Sequence, residues 1–225
     1  PNQPVLDSRI ANYQMAARMQ VEATEALDVS RKTGATRKLY GIGEKETDNF
    51  GKRCLMARRL VEAGVRVVQV MVPCAHGKNS PWDHHDKLNQ DINDICPQVD
   101  QPSAALIRDL KHRGLLDSTI VLWTGEFGRQ PEQQLQGRKP ADGRDHNAKG
   151  FCVWMAGGGV KSGVHYGATD EIGNVAVENR VSVNDLHATI LHLLGLDHEK
   201  LTYRYAGRDF RLTDVHGSVV HGILS

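Results

Sequence analysis

Three short polar stretches hold the side chains with the most chemical scope. Asp83, His84 and His85 lie in "SPWDHHD", with His76 shortly before them. Glu126 and Arg129 lie in "WTGEFGRQP". Arg144, Asp145, His146 and Asn147 lie in or beside "GRDHN". Aspartate, glutamate and histidine together are hard or borderline ligands that suit Zn²⁺, Mn²⁺ or a similar ion. The four cysteines (Cys54, Cys74, Cys96, Cys152) show no C-x-x-C spacing, which argues against a thiolate zinc site. The planar fork of Arg129 can hold an anion nearby. Plainer readings stand beside these. Glu126 can cap a helix or pair with Arg129, Asp83 can be an N-cap, and His146 can be an ordinary loop histidine.

The elements that must position these residues are short and apolar. "VRVVQVMV" (65–72) and 119–123 read as strands buried on both faces, and "GFCVWMAGG" (strand 151–156) as a strand followed by glycines. Helical patterns run from Thr47 or Asp48 to Gly64, from Pro97 to Gly114, and from Ser182 or Asn184 to Gly195. Residues 7–29 carry a ragged helical spacing, and 30–47 read as a surface loop. Strand and helix alternate, which predicts an α/β fold with a mainly parallel sheet and helices on both faces. In such sheets ligands bind beyond the carboxyl ends of the strands. Parallel neighbours would bring the clusters after 65–72 and 119–123 to one edge, and the "GRDHN" loop could fold over it. His187, His192 and His198, on or beside an apolar helix, suit packing or surface roles. "AGGGVKSG" has neither phosphate-loop glycine spacing.

Bulk properties narrow the partners. The formal net charge of +1 over 225 residues gives no footprint for nucleic acid or an acidic membrane. No apolar run approaches the roughly 18 residues of a membrane span.

The stretches "SPWDHHD", "WTGEFGRQP", "GRDHNAKGFCVWMAGGGVKSGVHYGATDE" and "VNDLHATILHLLGLDHEKLTYRYAGRDFRLTDVHG" resemble the carboxyl half of the bacterial secreted family catalogued as domain of unknown function 1501. That family is sulfatase-like and belongs to the alkaline phosphatase superfamily. The resemblance implies part of a three-layer α/β/α sandwich, with 1–64 a helical segment and 65–225 the α/β core of one domain. It implies a metal-dependent hydrolase of sulfate or phosphate monoesters, acting on a small molecule or polysaccharide in the periplasm or outside the cell. By position it implies Asp83 and His85 at one divalent ion, Glu126 at another, and His146 with Asp145 as a further ligand set. The ion would be Zn, Mn or Ca. His146 and Arg129 would be catalytic, with Arg129 or Arg144 offsetting charge on the substrate. Phe127 stands where the superfamily places a histidine, and no strand before Val65 offers a nucleophile. The chain is therefore expected to be a piece of a larger domain lacking that nucleophile. A non-catalytic carbohydrate-binding or scaffold protein that kept the fold is the competing expectation.

Overall fold

A computed structural model describes residues 4–29, 32–72, 82–133, 135–136, 139–140 and 142–225. His76 and Cys74 lie outside the described residues. The chain divides into two compact units, one of Pro1–Asp83 with Gln90–Leu115, the other of His84–Asn89 with Leu116–Ser225.

The first unit is helical. It contains α1 (Pro4–Leu27), α2 (Gly34–Leu39), α3 (Asp48–Glu62) and nearly all of α4 (Leu88–His112). Asp48 opens α3. Its carboxylate accepts from the Gly43 amide at 2.9 Å and from Lys52 Nζ at 2.6 Å, satisfying a negative group at the positive helix end. The buried face of α3 comprises Phe50, Gly51, Cys54, Leu55, Ala57 and Arg58, the spacing of one helical stripe.

Helix α4 begins nine residues before the Pro97 start expected from sequence, and it holds both Pro97 and Pro102 inside it. A proline costs a helix interior about 3 kcal/mol. Here Asp91, Ile95, Val99, Pro102, Ala105, Asp109 and Leu110 are all buried along one stripe, and that packing outweighs the lost hydrogen bonds. The stretch 30–47, expected as a surface loop, contributes α2 and a turn that buries Tyr40, Gly41 and Ile42.

A charged network sits in this helical core. Tyr40, fully buried, donates its hydroxyl to Asp109 Oδ2 at 2.9 Å. Arg113 Nε donates to Asp109 Oδ1 at 2.8 Å. Arg58 Nε lies 2.9 Å from Asp109 Oδ2 but without the alignment of a hydrogen bond, so charge rather than geometry links them. Arg58 and Arg113 both reach Glu62. Burial pushes the Asp109 carboxyl up, but the hydrogen bonds from Arg113 and Tyr40 and the charge of Arg58 outweigh it and hold it below the ordinary value. Burial, then the Asp109 charge, pushes the Tyr40 hydroxyl up.

The second unit is built from short antiparallel pairs. In chain order its strands are β1 (Val121–Trp123), β2 (Gly128–Arg129), β3 (Leu135–Gln136), β4 (Lys139–Pro140), β5 (His146–Asn147), β6 (Trp154–Ala156), β7 (Ala168–Thr169), β8 (Ala176–Glu178), β9 (Thr202–Tyr205) and β10 (Arg208–Arg211). The pairs are β1–β6, β2–β5, β3–β4, β7–β8 and β9–β10, each a separate two-stranded ribbon. Helix α5 (Val183–Leu193) starts at Ser182 in a capping box with Asp185, one of the two starts the sequence offers. Gly64, Gly114 and Gly195 take positive φ just beyond α3, α4 and α5, the stops expected of them. No helix among the described residues is long and apolar enough to cross a membrane.

The expected three-layer α/β/α sandwich with a mainly parallel sheet, alkaline phosphatase-like, is therefore wrong for this chain. A parallel pair needs a crossover of a dozen or more residues, usually a helix. Between β1 and β6 the described residues make strands β2 to β5 and no helix, and the two pair antiparallel with Trp123 opposite Trp154. Residues 65–72 form no strand. Val67 is 81% exposed and Met71 61%, so this β-branched run is not covered on both faces.

The charged network gives a test. Replacing Asp109 with Ala leaves Arg58, only 3% exposed, without its buried counter-charge, and should cost about 3–5 kcal/mol in urea unfolding. Because the Asp109 pKa is depressed in the fold, its contribution is fully present above about pH 4 and fades as pH falls through the lower folded value. The Ala variant should lack that acid-side loss. A variant as stable as the parent at pH 7 would show that the network does not hold this unit.

Candidate metal centre

The second unit folds the "WDHHD" and "GRDHN" stretches onto each other. The Arg144 amide donates to the His84 carbonyl at 3.0 Å, and the Leu88 amide donates to the Asp142 carbonyl at 2.7 Å. Between these two bonds lies Gly143, buried against the backbone of His85. A Cβ at Gly143 would sit 2.0 Å from the His85 carbonyl carbon and 2.5 Å from the Asp86 amide nitrogen, so no side chain fits there. Gly143 is the residue sequence reasoning missed. Its only signal is a glycine placed immediately before the polar "RDHN" run.

The second clasp is β2 with β5. Arg129 lies opposite His146 and Gly128 opposite Asn147. The Gln130 amide donates to the Asp145 carbonyl at 2.8 Å, and Arg129 Nη1 donates to the Arg144 carbonyl at 3.2 Å. Gly128 serves close approach here, and its φ is not positive. A Cβ on it would meet the Gly150 carbonyl oxygen at 2.3 Å.

These clasps bring one ligand atom each from Asp83, His85 and His146 within 4.8 Å of one another. Asp83 precedes His84, the first residue of the second unit, so its place beside His85 is fixed by two peptide bonds. The imidazoles of His85 and His146 have centroids 4.9 Å apart. A tetrahedral ion with bonds of about 2.1 Å holds its ligands about 3.4 Å apart, a distance within reach of side-chain rotation. Two imidazoles and one carboxylate fit zinc or another first-row ion and leave coordination positions open, as a catalytic site does. Calcium prefers a shell of oxygens and fits this set poorly.

Glu126 and Asp145 fall outside that group. Glu126 is exposed in the bend before β2. Asp145 Oδ1 accepts from the His146 amide at 2.8 Å. Arg129 and His146 are opposite one another and share a face. The Phe127 ring lies 4.1 Å from the His146 ring, and the Arg129 guanidinium carbon is 6.0 Å from the Phe127 centroid. Glu126 and Asp145 lie just outside the two paired strands. Arg144 is half-buried, with its backbone tied to His84 and Arg129.

No curated protein and no solved structure matches the chain. A family model does, over residues 1–224. With that match covering nearly its whole length, the chain belongs to the family described as "Protein of unknown function (DUF1501)".

Proposed function

We propose that this chain supplies the metal centre of a sulfatase-like hydrolase of sulfate or phosphate monoesters, on a small molecule or polysaccharide outside the cytoplasm. The observation that carries the reading is the convergence of Asp83, His85 and His146. A divalent ion, zinc or manganese by the donor set, supplies Lewis acidity toward an ester oxygen. The chain's own residues do the rest. Asp83, His85 and His146 hold the ion. Arg129, on the face of His146, brings a planar cation to the anionic ester, and Arg144 adds positive charge beside it. Phe127 lies against one side of the His146 ring, which is otherwise exposed. In this reading Asp83, His85 and His146 are committed to the ion and the arginines to substrate charge, so the attacking hydroxyl belongs to a residue outside this set.

A second reading is a carbohydrate-binding or scaffold protein without turnover. The apolar ring of Phe127 against His146, with Glu126 out of reach, favours it. Release of sulfate or phosphate from aryl esters by the protein loaded with Zn²⁺ or Mn²⁺, lost in His146→Ala, would separate the two.

Metal binding tests the centre itself. After chelation and dialysis, the full chain should take up one Zn²⁺ or Mn²⁺ in calorimetric titration. His85→Ala and His146→Ala should each weaken binding by more than the 10–100-fold typical of losing an outer-shell partner, roughly speaking. Glu126→Ala should leave it nearly unchanged. Uptake of no ion, or equal losses in all three variants, would sink the assignment.

Gly143→Ala gives a separate check. The added methyl forces the His85 backbone away, so metal affinity should fall by about tenfold or more while the helical unit keeps its unfolding transition. An unchanged affinity would show that the Gly143 contact does not place His85.

A further inference from the structure

The β9–β10 hairpin carries a face the proposed chemistry does not use. Its turn, Ala206–Gly207, has φ of +47° and +83°, the primed-turn geometry that locks a two-residue hairpin in register. Tyr205 is thereby opposite Arg208 and Tyr203 opposite Phe210. Alternation puts these four on one face and Thr202, Arg204, Asp209 and Arg211 on the other. The rings form a continuous array. Tyr203 and Phe210 centroids are 5.7 Å apart at 26°, Tyr205 and Phe210 are 6.4 Å apart, and the Arg208 guanidinium carbon stands 4.6 Å over Phe210. Tyr203 is 55% exposed and Tyr205 67%.

We propose that this face is a stacking platform for the sugar rings of a neutral glycan segment. Two observations select that occupant. The hairpin's guanidiniums are already matched: Arg204 with Asp209 at 3.0 Å, Arg208 with Asp214 at 3.4 Å, and Arg211 with Glu199 at 3.3 Å. An anionic partner gains little from a surface neutralised in this way. The second observation is size. Four-residue strands span about 14 Å, and two of them with their side chains cover on the order of 140 Å². A stable protein partner needs about 800 Å² from each side. A few hexose rings match the smaller area. Their axial C–H bonds carry partial positive charge toward the negative faces of the tyrosines, while the phenol hydroxyls offer hydrogen bonds at the edge.

The site is independent of the metal centre, and the test keeps them apart. The full chain is run in native gels cast with dextran, laminarin, xylan or agarose, and in a gel without polysaccharide. Retardation is expected in at least one polysaccharide gel. Tyr203→Ala with Tyr205→Ala should abolish it, and each ring lost should weaken apparent affinity by about tenfold. Tyr203→Phe with Tyr205→Phe should keep most of it, and so should His146→Ala. Far-UV circular dichroism checks the fold. If the double Ala variant does not fold, Tyr205→Ala alone, at the exposed end beside the turn, carries the same prediction. No retardation in any gel, or retardation unchanged by loss of the rings, overturns the proposal. So does a dimer in plain buffer that the double Ala variant dissolves, which would give the face to a second copy of the chain.

Discussion

The candidate centre depends on the lack of room for even one methyl group at position 143. Where Gly143 passes His85, backbone lies on backbone, with a hydrogen bond on either side from Arg144 to His84 and from Leu88 to Asp142. Histidine ligands are useful only when their rings are aimed, and the aim of a ring is inherited from its backbone. His85 is set by this approach, His146 by its pairing with Arg129, and Asp83 by its nearness in the chain to His85. Three ligands on two short segments thus share one support, made of main chain.

The first unit is held by different forces. Its helices bury stripes of apolar side chains, and the charges among them are matched. Asp109 answers Arg58 and Arg113, and Tyr40 closes the set with a hydroxyl. Such a core tolerates two prolines within α4 because the stripe is long. Among its described residues the second unit has strands of two to four residues and no extended sheet. Its order comes from backbone bonds between turns and from glycines at close contacts.

That contrast explains what could be read from the residues alone. Helix stops at Gly64, Gly114 and Gly195 and the Ser182 start of α5 were legible, because caps are local chemistry. The polar clusters were legible as chemistry-bearing. The sheet was not. Short apolar runs at 65–72, 119–123 and 151–156 fit buried parallel strands and irregular or antiparallel segments equally well, since a run of that length has no period to choose between them. What decides is the pairing partner, which lies far away in sequence. Gly143 was illegible for the same reason: its need to be glycine is set by His85, nearly sixty residues earlier.

Within the metal centre the same limit shows at finer scale. Chemistry singles out Glu126, a carboxylate between two glycines, yet the residue beside His146 is its neighbour Phe127. The step from one residue to the next reverses the face, so ligand type and ligand position are separate questions. At "EFGR" they give different answers. The carboxylate faces solvent, and the ring and the arginine share the side of the histidine. A hydrophobic wall on one flank of His146 restricts how an ion can be approached from that side. Among the described residues the donor set is then Asp83, His85 and His146, three protein ligands that could hold one ion.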